Sequence, residues 1–280
     1  MFQEKTIAFV GAGIMGEAMI RGLLAQKNIP ANQIIASDPW EKRRSELQER
    51  YAIRVTADNR EAAEEGQIVV LAIKPQSLLH VMPEIRGHLR RQDLLLSILA
   101  GVPIRKLADG AAHAAVVRSM PNTPAQIGEG ITVWTATPEV TEQQKEQAQA
   151  ILMSLGREIL VDDESYLDMA TALSGSGPGY VFLFMEAMID AGVHMGFSRR
   201  VAEELVFQTI RGSVDYAMQS GKHVAELRNQ VTSPGGTTAA ALYHMEKGGL
   251  RTVLSRGIWA AYQRSSELGK GKPDEGMDLQ

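Results

Sequence analysis

The chain has 280 residues and no cysteine, and its 29 Lys and Arg against 33 Asp and Glu give a formal net charge of −4. The missing cysteines exclude a disulfide scaffold, a thiolate metal cluster and a cysteine nucleophile. The slightly acidic balance argues against non-specific nucleic-acid binding, which needs a basic footprint.

The first half alternates short apolar strands with helical stretches. Residues 6–10 read as a strand leading into a glycine turn, and 17–26 as a helix. A second strand follows at 34–37 and a polar helix at 40–50. The β-branched run 68–73 stops at Lys74-Pro75, and the run 94–99 stops at Gly101. Segments 116–118 and 131–135, a helix at 141–155 and a strand at 158–161 complete the series. Strands alternating with helices, several apolar throughout, predict a doubly wound parallel sheet covered on both faces.

After about Asp163 the pattern becomes all-helical, with helices at 166–173, 179–195, 199–219, 224–230, 239–247 and 251–268. Gly196, Gly221, Gly248 and Gly269 stand where C-terminal stops belong. The 179–195 helix is apolar around most of its circumference and so must be buried. So small a helical domain has little room for it, which predicts a subunit interface. The expected limits are 1–163 and 164–269, with a disordered polar tail at 270–280. No apolar run approaches the roughly 20 residues that span a bilayer. With no targeting segment apparent, the expectation is a cytoplasmic enzyme, with no membrane or nucleic-acid partner.

Gly11-Ala12-Gly13-Ile14-Met15-Gly16 follows the first strand and opens a helix. In this G-x-G-x-x-G context the first glycine permits the tight turn. The second lets the backbone approach a pyrophosphate, and the third lets helix and strand pack closely. Asp38, 22 residues beyond Gly16, can accept hydrogen bonds from an adenosine ribose, which favours NAD. Ser37 with Lys42, Arg43 or Arg44 can instead hold a 2′-phosphate, or Asp38 can simply cap the next helix. The residues leave NAD against NADP open.

Ala72-Ile73-Lys74-Pro75, Ala100-Gly101-Val102-Pro103 and Met120-Pro121-Asn122-Thr123-Pro124 all sit where a doubly wound sheet ends its strands. They read as a cofactor rim. Lys74 suits a general acid or a phosphate or ribose contact equally. In Leu173-Ser174-Gly175-Ser176-Gly177-Pro178-Gly179, Ser176 fits an N-cap with Pro178 in the first turn. The glycines there admit close packing of a helix or of a nicotinamide ring. Ser233-Pro234-Gly235-Gly236-Thr237-Thr238 precedes another helix. Gly235, Gly236, Thr237 and Thr238 offer four N–H groups at its start, an anion site suited to a substrate carboxylate. The plainer alternative is a capped helix. The six histidines show no metal-ligand spacing, so no metal is expected.

With these segments in order, residues 5 to about 268 resemble the pyrroline-5-carboxylate reductases. The resemblance is carried by Gly11–Gly16, Ala72–Gln76, the run from Arg118 to Ala125, Leu173–Gly179 and above all Ser233–Thr238. It implies an N-terminal Rossmann-like domain followed by an all-α dimerisation domain, dimers that in many members assemble as five into a decamer, and hydride transfer from NADPH or NADH to the C=N carbon of 1-pyrroline-5-carboxylate, giving L-proline. By the same resemblance the cofactor contacts are the glycine loop, Asn59, Ala72, Lys74, Pro75, Ala100 and Gly101. The substrate contacts are Ser233, Gly235, Gly236, Thr237 and Thr238, with the Thr238 hydroxyl at the ring nitrogen and Glu164 near the site. Asp38 stands where a small or hydroxyl residue is common beside the NADP 2′-phosphate, and Gln230 where Asn is frequent. NADP(H) is the leading cofactor and NAD(H) the alternative. Competing readings are a reductase of another cyclic imine or of a keto acid, and a dinucleotide sensor without turnover.

Overall fold

The computed structural model describes Phe2 and residues 5–269; the tail predicted to be disordered at 270–280 lies outside the described residues. In chain order the first elements are β1 (Ile7–Val10), α1 (Ile14–Ala25), β2 (Ile34–Ser37), α2 (Glu41–Tyr51), β3 (Arg54–Thr56), α3 (Asn59–Glu65), β4 (Ile68–Leu71), α4 (Leu78–Ile85), β5 (Leu94–Ser97) and α5 (Ile104–Ala111). Then come β6 (Val116–Met120), β7 (Gly130–Ala136), α6 (Glu142–Met153), β8 (Gly156–Leu160) and α7 (Ser165–Ala170). The remaining helices are α8 (Gly177–His194), α9 (Arg199–Ser220), α10 (Val224–Gln230), α11 (Thr237–Lys247) and α12 (Leu250–Gly269).

The eight strands form one sheet in the order β3-β2-β1-β4-β5-β6-β7-β8. All neighbours are parallel except β6 and β7, so the expected parallel sheet carries one antiparallel pairing. The alternation of side chains across the pleat builds two cores. Ile7 and Phe9 of β1 face Met19, Ile20 and Leu23 of α1 and Ile151 and Leu152 of α6. Ala8 and Val10 face the other way, toward Ala62 and Ala63 of α3, Met82 of α4 and Leu107 of α5. A Thr141–Gln144 capping box starts α6.

The contacts divide the chain into two compact units. One holds the residues up to Ser176 together with the last turns of α12 from Ala261; the other holds Gly177–Ala260. The second unit's core is small: Ile189 of α8 with Ala202 and Val206 of α9, joined by Met185, Met188 and Ile210. At the crossing, a Cβ on Gly192 would stand 3.0 Å from the Ala202 Cβ. The rest of α8 does not find the cover its composition demands. Phe182 is 60% exposed and Leu183 67% exposed in the single chain.

One local expectation is corrected. Ser176 is not an N-cap: it is helical at φ −84°, ψ −17°, and its N–H donates to Thr171 O, five residues back, at 2.8 Å. A π-turn over Thr171–Gly175 thus carries the chain from α7 into α8 without the extended residue that a cap requires. Gly248 does end α11, as its C-cap at φ −73°, and Gly249 after it takes the left-handed φ of +74°.

Candidate active site

The glycine loop lies between β1 and α1. Gly11 has φ +86°, and a Cβ there would stand 2.6 Å from Ile73 Cγ2 and 2.9 Å from Ala72 O. The segment just beyond β4 therefore presses on the turn, and only glycine fits. A Cβ on Gly16 would stand 2.8 Å from Gly11 O, which lets α1 start close against the loop. Gly13 is different: nothing lies within 4 Å of where its Cβ would be. Gly13 is the N-cap of α1 and no side chain caps the helix. An open glycine before an uncapped helix N-terminus suits a pyrophosphate. Ala12 and Gly16 are buried, Met15 is partly buried and Ile14 is exposed, so this loop presents mainly backbone.

Asp38 follows β2. Its Oδ1 accepts the Trp40 N–H at 3.0 Å and its Oδ2 stands 3.4 Å from the Ala12 N, which donates to it. One carboxylate thus joins the start of α2 to the glycine loop. Ser37 is fully buried; its hydroxyl donates to Asn59 Oδ1 at 2.6 Å, and Asn59 Nδ2 donates to Glu84. Arg43 donates to Ala12 O at 2.7 Å and pairs with Glu17 of α1 at 2.5 Å. Arg50 and Tyr51 of α2 reach the other oxygen of Glu17 at 2.6 and 2.8 Å. Burial works to raise the Glu17 carboxyl, but Arg43, Tyr51 and Arg50 together hold it below the ordinary carboxylate value. Burial, then the hydrogen bond to Glu17, pushes the Tyr51 hydroxyl up.

Beyond β4, Ala72 donates its N–H to Val10 O at 2.9 Å, while Lys74 and Pro75 are exposed at a short 3-10 turn. Beyond β5, Gly101 (φ +68°) follows the half-buried Ala100 and is itself buried; a Cβ on it would meet Leu268 Cβ of α12 at 3.2 Å. Beyond β6, Asn122 holds two segments at once. Its Nδ2 donates to Ser174 O in the π-turn at 3.2 Å and its Oδ1 accepts the Ile131 N–H at 3.0 Å. The expected rim segments thus lie at the ends of adjacent strands.

Glu164 stands just before α7. Its Oε1 accepts from Arg118 Nη1 at 2.5 Å and from the Ile104 N–H at the head of α5 at 2.7 Å. Arg118 is buried within β6 and also faces Asp168 at 3.5 Å, and Asp168 accepts from Ser265 at 3.0 Å. Arg118 stands in the family-like run to Ala125, yet nothing in the sequence around it points to this pairing. Pairs 46 and 97 residues apart leave no local signal.

In the second unit, Ser233–Thr238 enters α11. Gly235 takes φ +72° and Gly236 is the extended N-cap. The Gly236 N–H donates to Ser233 O at 3.0 Å, closing a turn. That group is engaged, so the loop offers the N–H groups of Gly235, Thr237 and Thr238, for which no acceptor is found among the described residues. Ser233, Gly235 and Thr237 are exposed and Thr238 is half-buried. Among the described residues there is no cluster of potential metal ligands and no helix long and apolar enough to cross a membrane.

Comparison with known proteins agrees with both parts of the chain. Residues 164–268 match the family model of pyrroline-5-carboxylate reductase dimerisation, and residues 6–101 match that of an F420-dependent NADP oxidoreductase. The chain is 40% identical over 264 residues to the pyrroline-5-carboxylate reductase of Synechocystis, covering 94% of this chain and 98% of that one. The structure of a pyrroline-5-carboxylate reductase from Coxiella burnetii superposes with a TM-score of 0.88 at 35% identity, covering 94% and 98% of the two chains. That of the Plasmodium falciparum pyrroline carboxylate reductase with NADP bound gives 0.87 at 33% identity, covering 96% and 100%.

Proposed function

The chain belongs to the pyrroline-5-carboxylate reductase family, and from that premise we propose how its own residues divide the work. The reaction is the reduction of 1-pyrroline-5-carboxylate to L-proline, the last step of proline biosynthesis. The reductant is NADP(H), with NAD(H) as the alternative. When bound, the cofactor supplies the hydride for the C=N carbon. Residues 1–163 hold it: the N–H groups after Gly13 take the pyrophosphate. Asp38 lies at the adenosine end with Ser37 and Asn59 behind it, and Ala72, Lys74, Pro75, Ala100 and Gly101 form the rim.

Residues 164–269 take the substrate. The Gly235, Thr237 and Thr238 N–H groups bind its carboxylate, with Ser233 and the Gly236 turn fixing their direction. The Thr238 hydroxyl donates to the ring nitrogen, drawing electrons from the C=N bond and making its carbon a better hydride acceptor. Glu164, paired with Arg118, is assigned to substrate binding by the family resemblance. The observation that supports this reading is the head of α11, where no side chain caps the helix and the Gly235, Thr237 and Thr238 N–H groups have no acceptor among the described residues.

The helical part carries the family's dimerisation domain and forms a dimer. Association of five dimers into a decamer, and a cytoplasmic location where reduced dinucleotide is at hand, complete the proposal. The test is oxidation of NADPH and NADH followed with 1-pyrroline-5-carboxylate. Proline should form one for one with the oxidised cofactor. Absence of turnover with both cofactors refutes the reading. Turnover of another imine or keto acid at higher kcat/KM moves the assignment to that substrate.

A further inference from the structure

The first N–H groups of the glycine loop are of two kinds. Those of Gly11 and Ala12 are taken by the protein: the first donates to Ser37 O at 3.0 Å, the second to Asp38 at 3.4 Å. Those of Gly13 and Ile14 have no acceptor among the described residues. Arg43 of α2 fixes the direction of this second pair. Its Nε donates to Ala12 O at 2.7 Å, and its Nη2 stands 3.5 Å from Gly13 O, which also accepts the Glu17 N–H at 2.9 Å. A trans peptide points its N–H opposite to its C=O. Holding the Ala12 carbonyl therefore turns the Gly13 N–H away from Arg43, and holding the Gly13 carbonyl does the same for Ile14. The guanidinium is itself held by one oxygen of Glu17 at 2.5 Å, while Arg50 and Tyr51 hold the other oxygen.

The open glycine that lets an anion approach also loosens the backbone around it, because a glycine accepts either orientation of its neighbouring peptides at little cost. A flipped Ala12–Gly13 peptide would aim a carbonyl oxygen at the phosphate instead of an N–H. We propose that Arg43 is a positioning residue for the cofactor: it clamps the Ala12 and Gly13 carbonyls so that the Gly13 and Ile14 N–H groups face the pyrophosphate, and it touches no phosphate itself. The inference rests on the cofactor reading above. With Nε and Nη2 committed to the loop and to Glu17, Arg43 serves the part that both dinucleotides share rather than the phosphate that distinguishes them. It also offsets the Glu17 carboxylate, which lies in the first turn of α1 and, left bare, would repel the incoming anion.

The test reads binding without the imine substrate. NADPH, NADH and ADP-ribose are titrated calorimetrically into the intact enzyme, Arg43→Met and Arg43→Lys, and each protein is melted. ADP-ribose keeps the pyrophosphate and lacks the nicotinamide. Arg43→Met raises all three Kd values by about tenfold, the loss expected when a charge-assisted hydrogen bond no longer orients its partner. The ratio of NADPH to NADH affinity stays unchanged, and at saturating cofactor so do kcat and the imine KM. Arg43→Lys keeps the charge but not the planar fork, and still loses at least about threefold for each ligand; it carries the test should the methionine variant fail to fold. Weakening of NADPH alone overturns the proposal, because Arg43 then holds the 2′-phosphate. Unchanged affinities overturn it as well, and a lowered Tm beside them makes Arg43 a structural contact only. If the variants bind as described while pyrroline-5-carboxylate is not reduced, the substrate reading alone fails. If the enzyme makes proline and both variants bind all three ligands normally, this inference alone fails.

Discussion

Arg118 and Glu164 meet as a buried cation and a half-buried carboxylate, the guanidinium side chain 5% exposed and the carboxylate 31%. The same carboxylate oxygen takes the Ile104 N–H, so the pair joins the middle of the sheet to the heads of α5 and α7. Replacing Arg118 by Met leaves Glu164 and Asp168 facing each other without a cation. Breaking such a pair from one side costs about 3 kcal/mol. Glu164→Gln should cost less, since an amide oxygen still accepts from Ile104 and Asp168 stays beside Arg118. Urea unfolding at fixed protomer concentration gives the order. Equal midpoints for Arg118→Met and wild type would remove the pair from the stability of this unit.

The glycine loop separates folding from binding within three residues. Gly11→Ala puts a Cβ at φ +86° against Ile73 and Ala72 O, combining left-handed strain with overpacking, at a cost of about 2–4 kcal/mol. Gly13→Ala meets no protein atom. It should leave the Tm within a degree or two and raise the cofactor Kd by at least about tenfold, because the methyl occupies the pyrophosphate's approach. Thermal melting and cofactor titration of both variants check the contrast. A Gly13→Ala enzyme with normal affinity would place the pyrophosphate elsewhere.

Much of this was legible in the sequence, for identifiable reasons. Strands β1, β4 and β5 are buried on both faces and read as continuous apolar runs. The glycine motif sits directly after the first of them. What escaped was of two kinds. Strand β3 is a three-residue edge, Arg54-Val55-Thr56, half-buried throughout and too short to show a period, and α4 carries Pro83 inside it, a residue that reads as a helix break although Leu78, Met82 and Ile85 keep the helical spacing. The Ser176-Gly177-Pro178 run has the residues of a helix start. Yet the chain makes a π-turn there, because Met120 and Asn122 pack and bond against Gly175 and Ser174. That is tertiary information, as are the partners of Arg118.

Thr238 carries the chemistry assigned to the substrate end. Thr238→Ala should lower kcat/KM for the imine by roughly 10–100-fold, equivalent to about 1.4–2.7 kcal/mol of transition-state stabilisation. Thr238→Ser keeps the hydroxyl and should recover most of it. The loss belongs in kcat, because the carboxylate still has its backbone donors. An alanine variant with wild-type kcat would remove the hydroxyl from the mechanism.

Glu17 predicts the acid limb of stability. Its folded value lies below the ordinary carboxylate value of 4.5, because three donors from α2 outweigh its burial. A depressed carboxyl contributes stability that is fully present above that ordinary value and is lost as pH falls through the folded one. Glu17→Gln should therefore be less stable than wild type at neutral pH. The two should converge below the folded value, where both side chains are uncharged. Denaturation midpoints from pH 7 down to pH 3 test the convergence; a constant gap across that range would show that charge is not the cause.

The second unit makes the most direct demand on assembly. Phe182 and Leu183 are neighbours on α8, and both are more than half exposed in the single chain. Phe184 at 45% and Val181 at 45% extend the same apolar stretch around the helix. Burying each such side chain is worth about 1.5–3 kcal/mol. In a two-fold interface every substitution acts twice. Leu183→Arg should thus cost the dimer several kcal/mol and shift it to monomer at micromolar concentration. Because the helical unit's own core is three buried residues with a few partners, its melting should become concentration-dependent as the dimer weakens. Sedimentation velocity across a dilution series measures both. A Leu183→Arg chain that still sediments as a dimer at low micromolar concentration would place the interface on another face.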